Sequence, residues 1–221
     1  PAPRPPAPFR LPMASRCPSA VVPYLQDRGI DPEIIRLCLE AGILYESRKY
    51  QNCVFVGRDS SGHPRFAALR GTRDSFKLDA EGSDKRYAFC LPASDPACPR
   101  LAVAESPIDA LSLATLEKRT GGPWQNCHYL SLGGTAPNAL LQFLQDHPLV
   151  SQISMCLDND KAGLAGMERL EQAVQSDPAL AAQVTLLCRN PPPVEYGKDY
   201  NESLTAMVRV ERGQQRGLEA R

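Results

Sequence analysis

Four short apolar runs in the second half of the chain, LAVA, HYLSL, ISMCL and VTLLC, restrict its fold more than any other feature. Each has the length of a strand, and a stretch with helical periodicity follows each of the first three. Strand and helix alternating in this way build a parallel sheet with covering helices, because a parallel neighbour is reached only through a long crossover. Ser106, Pro107 and Asp109 mark one helix start: a capping serine, a proline in the first turn and an acid three residues after the cap. Asp160 opens another helix, with Leu164, Met167, Leu170 and Val174 along one face. After VTLLC, RNPPPVEYGK reads as loop, DYNESL as a short last helix, and the residues beyond about 208 as a frayed helix or tail.

Upstream the text is different. Eight of the 21 prolines fall within the first 23 residues, a composition that favours extended, solvated backbone. The sequence opens at Pro1 without a basic-then-apolar leader, so it reads as an excised or processed piece whose first residues link to an upstream part. In YLQDRGIDPEIIRLCLEAGIL a helix is capped by Asp31, opened by Pro32 and stopped by Gly42. CVFVG and RFAALRG, separated by the turn-rich RDSSGHP, read as antiparallel strands, and TRDSFKLDAEGSDKRYAF as loop with a short strand. The expected organisation is a proline-rich linker over 1–20, a small α+β subdomain over 21–98, a larger α/β domain over 99–208 and a tail over 209–221.

Composition removes several functions. The 25 basic and 25 acidic residues cancel, which excludes a histone-like electrostatic binder and leaves nucleic-acid contact to a local patch. No apolar run approaches the roughly 18 residues of a membrane span, so the expectation is a soluble protein without membrane contact, and its cysteine pattern adds the expectation of a reducing cytoplasm. The eight cysteines include no CxxC pair, a poor pattern for zinc. Cys53, Cys156 and Cys188 lie in apolar runs and read as small reduced hydrophobes.

Carboxylates at the strand ends carry the chemistry. Glu105 follows LAVA, Asp158 follows ISMCL with Asp160 two residues on, and Asp199 follows the loop after VTLLC. In an open parallel sheet the carboxyl ends of the strands converge on one crevice. Acids gathered there without compensating bases repel one another unless a hard cation neutralises them, and magnesium (Mg2+) is the natural occupant, with manganese (Mn2+) as an alternative. The competing interpretation is that these acids merely cap helices.

AESPIDALSL followed about fifty residues later by LDNDKAG, with the glycines of LSLGG between them, resembles the Toprim domain of DnaG-type primases, topoisomerases and certain nucleases. Upstream, YLQDRGIDPEIIRLCLEAGIL is similar to the helical segment of primase catalytic cores, and FVGRDSSGHPRFAALRG followed by FKL to the primase hairpin that leads to a basic residue and a lysine. The likeness covers roughly residues 24–205, and in its make-up the chain is similar to primase-like Toprim proteins of plasmids and integrative elements. Ser106 and Pro107 stand where primases usually carry glycine and an aromatic residue.

The resemblance implies a Toprim-type, Rossmann-like parallel sheet with flanking helices over 99–208. It also implies roles for particular residues. Glu105 matches the Toprim glutamate, as a metal ligand or a general acid/base. Asp158 and Asp160 match its DxD metal ligands, Asp199 resembles a later acidic ligand, and Arg70, Lys77 and Lys198 fall at positions for nucleotide phosphates or template. The implied partners are single-stranded DNA, nucleoside triphosphates and other replication or mobilisation domains of the same polypeptide.

Other chemistries have little support. His63, His128 and His147 are scattered and read as structural or solvated, Ser131 lacks the GxSxG elbow, and neither GxGxxG nor GxxxxGK[ST] occurs. Tyr129, Tyr196 and Tyr200 have no context for a topoisomerase nucleophile. The seven basic residues of 58–86 outnumber the acids there by only two, which a solvated surface explains. The expectation is a magnesium-dependent Toprim enzyme acting on phosphodiesters by primase-like nucleotidyl transfer. Cleavage by a Toprim nuclease and a non-catalytic DNA-binding module remain as alternatives.

Overall fold

The computed structural model describes residues 8–219; residues 1–7 of the expected linker and 220–221 of the expected tail lie outside the described residues. Two helices, α1 (Val21–Asp27) and α2 (Pro32–Glu40), precede the strands. Asp31 caps α2 by accepting from the Glu33 N–H at 2.9 Å, and the chain leaves α2 through Gly42, whose φ of 63° a side chain would resist.

Strands β1 (Leu44–Glu46), β2 (Cys53–Arg58), β3 (Pro64–Arg70) and β4 (Lys77–Asp79) then form an antiparallel sheet in sequential order. The β2–β3 hairpin is the one the sequence predicts. Part of the proline-rich stretch is seated on this sheet instead of standing free in solvent. Ser15 N–H donates to the Glu46 carbonyl at 2.8 Å, Arg48 N–H donates to the Met13 carbonyl at 2.8 Å, and Glu46 Oε2 accepts from Ser19 and Ala20 N–H at 2.8 and 2.7 Å.

The second sheet contains β5 (Cys90–Leu91), β6 (Arg100–Ala104), β7 (His128–Ser131), β8 (Gln152–Met155) and β9 (Leu186–Arg189), in the order β5-β7-β6-β8-β9. β6 to β9 are the four predicted runs and lie parallel, while β5 adds an antiparallel edge. Helices α3 (Pro107–Arg119), α4 (Asn138–Asp146) and α5 (Lys161–Ser176) follow β6, β7 and β8, and α6 (Pro178–Gln183) leads into β9. This is the mixed α/β architecture the resemblance implies. Cys53 and Cys156 are buried as expected, but Cys188 is exposed because β9 is an edge strand. Among the described residues no helix is long and apolar enough to cross a membrane.

The last helix differs from its expected short form. α7 runs Tyr200–Glu219, through most of the expected tail. Its Leu204 and Val208, one turn apart, lie against the backbone at Gly29, and Glu211 pairs with Arg119 of α3. One hydrophobic core extends from Val21 to Leu204 through both halves of the chain. Lys118 of α3 reaches Asp31, the cap of α2, and Glu33 in its first turn at 2.6 and 2.7 Å and fastens α2 to α3.

Candidate active site

The parallel register sets Ala104 beside Ser131 and Val103 beside Met155, so the loops after β6 and β8 leave the sheet side by side. Glu105 and Asp158 meet there, and Asp158 N–H donates to Glu105 Oε1 at 3.2 Å. Gly163 permits the tight return into α5: a Cβ at this position would sit 2.0 Å from the Asp158 carbonyl oxygen. Asn159 joins the next loop to this one. Its N–H donates to the Lys198 carbonyl at 2.7 Å and its Nδ2 to the Pro192 carbonyl at 2.9 Å, which brings Lys198 Nζ within 3.5 Å of Asp158 Oδ2.

Glu105, Asp158, Lys198 and Asp199 line one crevice of about 360 Å³, and Arg70 and Lys77 line it too. Arg70 and Lys77 are direct partners across β3 and β4, so their side chains leave the same face of the small sheet toward the crevice. Asp160 is not among the lining residues. Its Oδ1 caps α5, accepting from Ala162 and Gly163 N–H at 2.9 Å each. Asp199 likewise accepts from Glu202 N–H at 2.8 Å at the start of α7. For these two acids the capping interpretation is therefore part of the answer.

Three lining residues escaped sequence reasoning as site residues. Asp109, read only as a helix-start acid, is buried on the crevice floor; its Oδ2 accepts from Ser106 Oγ at 2.6 Å and its Oδ1 from Asn201 N–H at 3.2 Å. Its local signal is the Ser106 cap three residues before it, which holds Asp109 at the sheet edge that carries Glu105. Arg28 adds a fourth lining cation beside Arg70, Lys77 and Lys198, and Asn201 Oδ1 accepts from its Nη1 at 3.0 Å. Nothing local in DRGID or DYNESL marks Arg28 or Asn201, since a separation of 173 residues joins them.

The acidic floor is short of positive charge. Burial, and then the Asp158 charge, push Glu105 up to about 7. Burial, with Asp199 and Asp158 adding to it, pushes Asp109 up to about 6 against the bond from Ser106. Asp158 is also raised, by burial and then Asp199, although Lys198 opposes the rise. Lys198 in turn is raised, first by the charge of Asp158.

Among the described residues no group of three His, Cys, Asp or Glu side chains is arranged to hold a metal ion by itself. The donor set nevertheless suits a hard divalent cation. Mg2+ is commonly held by one or two carboxylates while substrate phosphates and water complete its shell, and here two raised carboxylates sit side by side, with the Asp158 backbone N–H donating to Glu105 Oε1 and Lys198 Nζ 3.5 Å from Asp158 Oδ2.

Residues 102–204 match the family described as Toprim-like, and residues 23–96 match the family described as a protein of unknown function, DUF3991. An uncharacterized protein of Bacillus anthracis is 29% identical over 161 residues, covering 66% of this chain; the chain spans 44% of that relative's length. Among solved structures, the primase fragment of the bacteriophage T7 primase-helicase is similar with a TM-score of 0.57 and 18% identity, over 96% of this chain and 82% of that one. The DnaG primase catalytic domain bound to ssDNA is similar with a TM-score of 0.54 and 16% identity, over 90% of this chain and 73% of that one.

Proposed function

With residues 102–204 forming a Toprim-like domain on the fold of a primase catalytic core, we propose that the chain is the core of a divalent-metal-dependent nucleotidyltransferase that joins nucleotides on single-stranded DNA. One observation carries this: an acidic floor, Glu105 and Asp158, faces a cationic wall, Arg28, Arg70 and Lys77, across one crevice. A nucleoside triphosphate with its divalent cation complements both sides at once, because the cation answers the acids and the phosphates answer the bases.

Glu105 and Asp158, with Asp199 on the same crevice lining and Asp160 two residues along the loop, would hold the cation, Mg2+ or Mn2+, which supplies Lewis-acid polarisation of phosphate oxygens and acidifies a bound hydroxyl. Alternatively Glu105 stays off the cation and takes the proton of an attacking hydroxyl at Oε2, since Oε1 already accepts from Asp158 N–H. Arg70 and Lys77 bind phosphate oxygens, and Lys198 balances Asp158 until substrate arrives. Replication or mobilisation domains of a longer polypeptide would add further grip on template.

Incubation of the chain with labelled nucleotides, single-stranded DNA and Mg2+ tests the proposal. Template-dependent product that Asp158→Asn and chelator both remove is expected; nucleotide incorporation untouched by either overturns it. A second reading, a non-catalytic DNA-binding module, is favoured by the use of Asp160 and Asp199 as helix caps. It predicts DNA binding with no turnover under any divalent cation.

A further inference from the structure

The crevice does not end at its basic wall. A second, wider groove of about 650 Å³ adjoins it, and the two share Asp74 and Phe76 as lining residues. The groove lies at the end of the small sheet where the β1–β2 and β3–β4 turns meet. Arg48, Lys49 and Tyr50 come from one turn and Arg73 and Phe76 from the other. All five are exposed, with Tyr50 64% and Phe76 40% accessible.

The two turns brace each other. Thr72 Oγ1 donates to the Gln51 carbonyl at 3.0 Å and Arg73 donates to the Gln51 side chain. Gly71 N–H donates to the Phe76 carbonyl at 2.9 Å, while Asp74 Oδ1 accepts from Phe76 N–H at 3.0 Å, so the Phe76 backbone is fixed at the lip. Asp74 is the groove's one acidic lining residue, and among the described residues Arg48, Lys49 and Arg73 form no ion pair with a carboxylate. Cations without a carboxylate partner, interleaved with exposed aromatic rings and with Lys49 Nζ 4.8 Å over the Tyr50 ring, suit a chain of alternating phosphates and unstacked bases. A double helix hides its base faces and gains only from the cations.

Resting on the polymerase reading above, we infer that single-stranded DNA runs from the crevice over Phe76 into this groove, with bases stacked on Phe76 and Tyr50 and phosphates at Arg48, Lys49 and Arg73. Stacking on an aromatic side chain is sequence-tolerant, so the path takes any sequence.

The test is fluorescence anisotropy of a labelled thymidine oligomer on the full chain in chelator, where the crevice cation takes no part. The double substitution Tyr50→Ala, Phe76→Ala should weaken binding about tenfold or more while leaving the melting temperature unchanged, because both side chains are exposed. An abasic oligomer should bind the parent chain as weakly as the intact oligomer binds this variant, and should lose nothing further on the variant. Replacing Arg48, Lys49 and Arg73 by alanine should lower the salt slope by about 2, at about 0.7 per phosphate contact on single strands. Parent-like affinity of the aromatic variant, or duplex DNA binding as tightly as the single strand, overturns the path. A uridine oligomer bound more than about tenfold tighter than thymidine overturns the assignment to DNA. Failure of the path is distinct from failure of the function: turnover lost in Asp158→Asn with oligomer binding intact leaves both standing. Aromatic-dependent binding without turnover in the parent chain removes only the polymerase reading.

Discussion

Glu105 carries the most informative charge in the molecule. Burial and the neighbouring Asp158 push it up to about 7, against an ordinary 4.5, so between these values the folded chain holds a proton that the unfolded chain has lost. Metal-free stability therefore falls as pH rises through this window, and Asp109, pushed up to about 6, acts in the same sense. Glu105→Gln should melt higher than the parent at about pH 8 without metal, by about 1–2 kcal/mol, with the advantage shrinking toward about pH 5. Thermal melts of both proteins across this range check it, and an advantage that does not grow with pH would show that Glu105 ionises normally. Asp160 allows a cleaner separation of roles, because asparagine caps a helix as well as aspartate does. Asp160→Asn should keep stability, whereas Asp160→Ala should lose about 1 kcal/mol with its cap. If Asp160 also holds metal, both should lose turnover equally, and an active Asp160→Asn would reduce Asp160 to a cap.

Between elements, Glu46 ties the N-terminal stretch to the small sheet. Burial works to raise its carboxyl, but donation from Ala20, Ser19 and Val21 N–H overrides this and holds it below the usual carboxylate range. The same contact sets a negative charge at the start of α1. Glu46→Ala strands these donors and should cost about 1–3 kcal/mol in urea unfolding, while proteolysis within residues 12–20 becomes faster. Nothing in the sequence marks Glu46, whereas α2 and α3 are legible at Asp31-Pro32 and Ser106-Pro107 because a cap is a local event. The central strands are legible for a related reason: burial on both faces writes a continuous apolar run, as in LAVA. β5, two residues long, and the reach of α7 depend on distant partners, Tyr129 and Gly29, that no local pattern announces. The same division runs through the candidate site, where the strand-end acids are visible from rhythm, while Arg28 and Asn201 become visible only once the chain has folded.

At the scale of the whole molecule, zero net charge conceals a separation of charge. The half of the chain with the parallel sheet supplies Glu105 and Asp158 of the crevice, together with Lys198, and the half with the antiparallel sheet supplies Arg28, Arg70 and Lys77, with a shared core and the Lys118 clasp holding the two halves in apposition. A polyphosphate approaching the crevice meets attraction from Arg28, Arg70 and Lys77 and repulsion from Glu105 and Asp158, so its affinity hinges on whether a cation lies between the two sets. A long single strand meets a different balance, since most of its phosphates lie away from the acids. Mg2+ should therefore improve binding of nucleoside triphosphate by about tenfold or more and that of bare single-stranded DNA far less. Arg70→Ala should weaken both ligands, because its guanidinium faces the crevice whether or not a cation is present. Asp158→Asn should weaken only the Mg2+-assisted part of triphosphate binding and, in chelator, should strengthen that binding by removing a repelling charge. Filter binding of triphosphate and of a thymidine oligomer, with Mg2+ and with chelator, measures all four combinations. Equal Mg2+ enhancement for the two ligands would mean that the cation acts on the fold as a whole and not between the acidic floor and a bound phosphate.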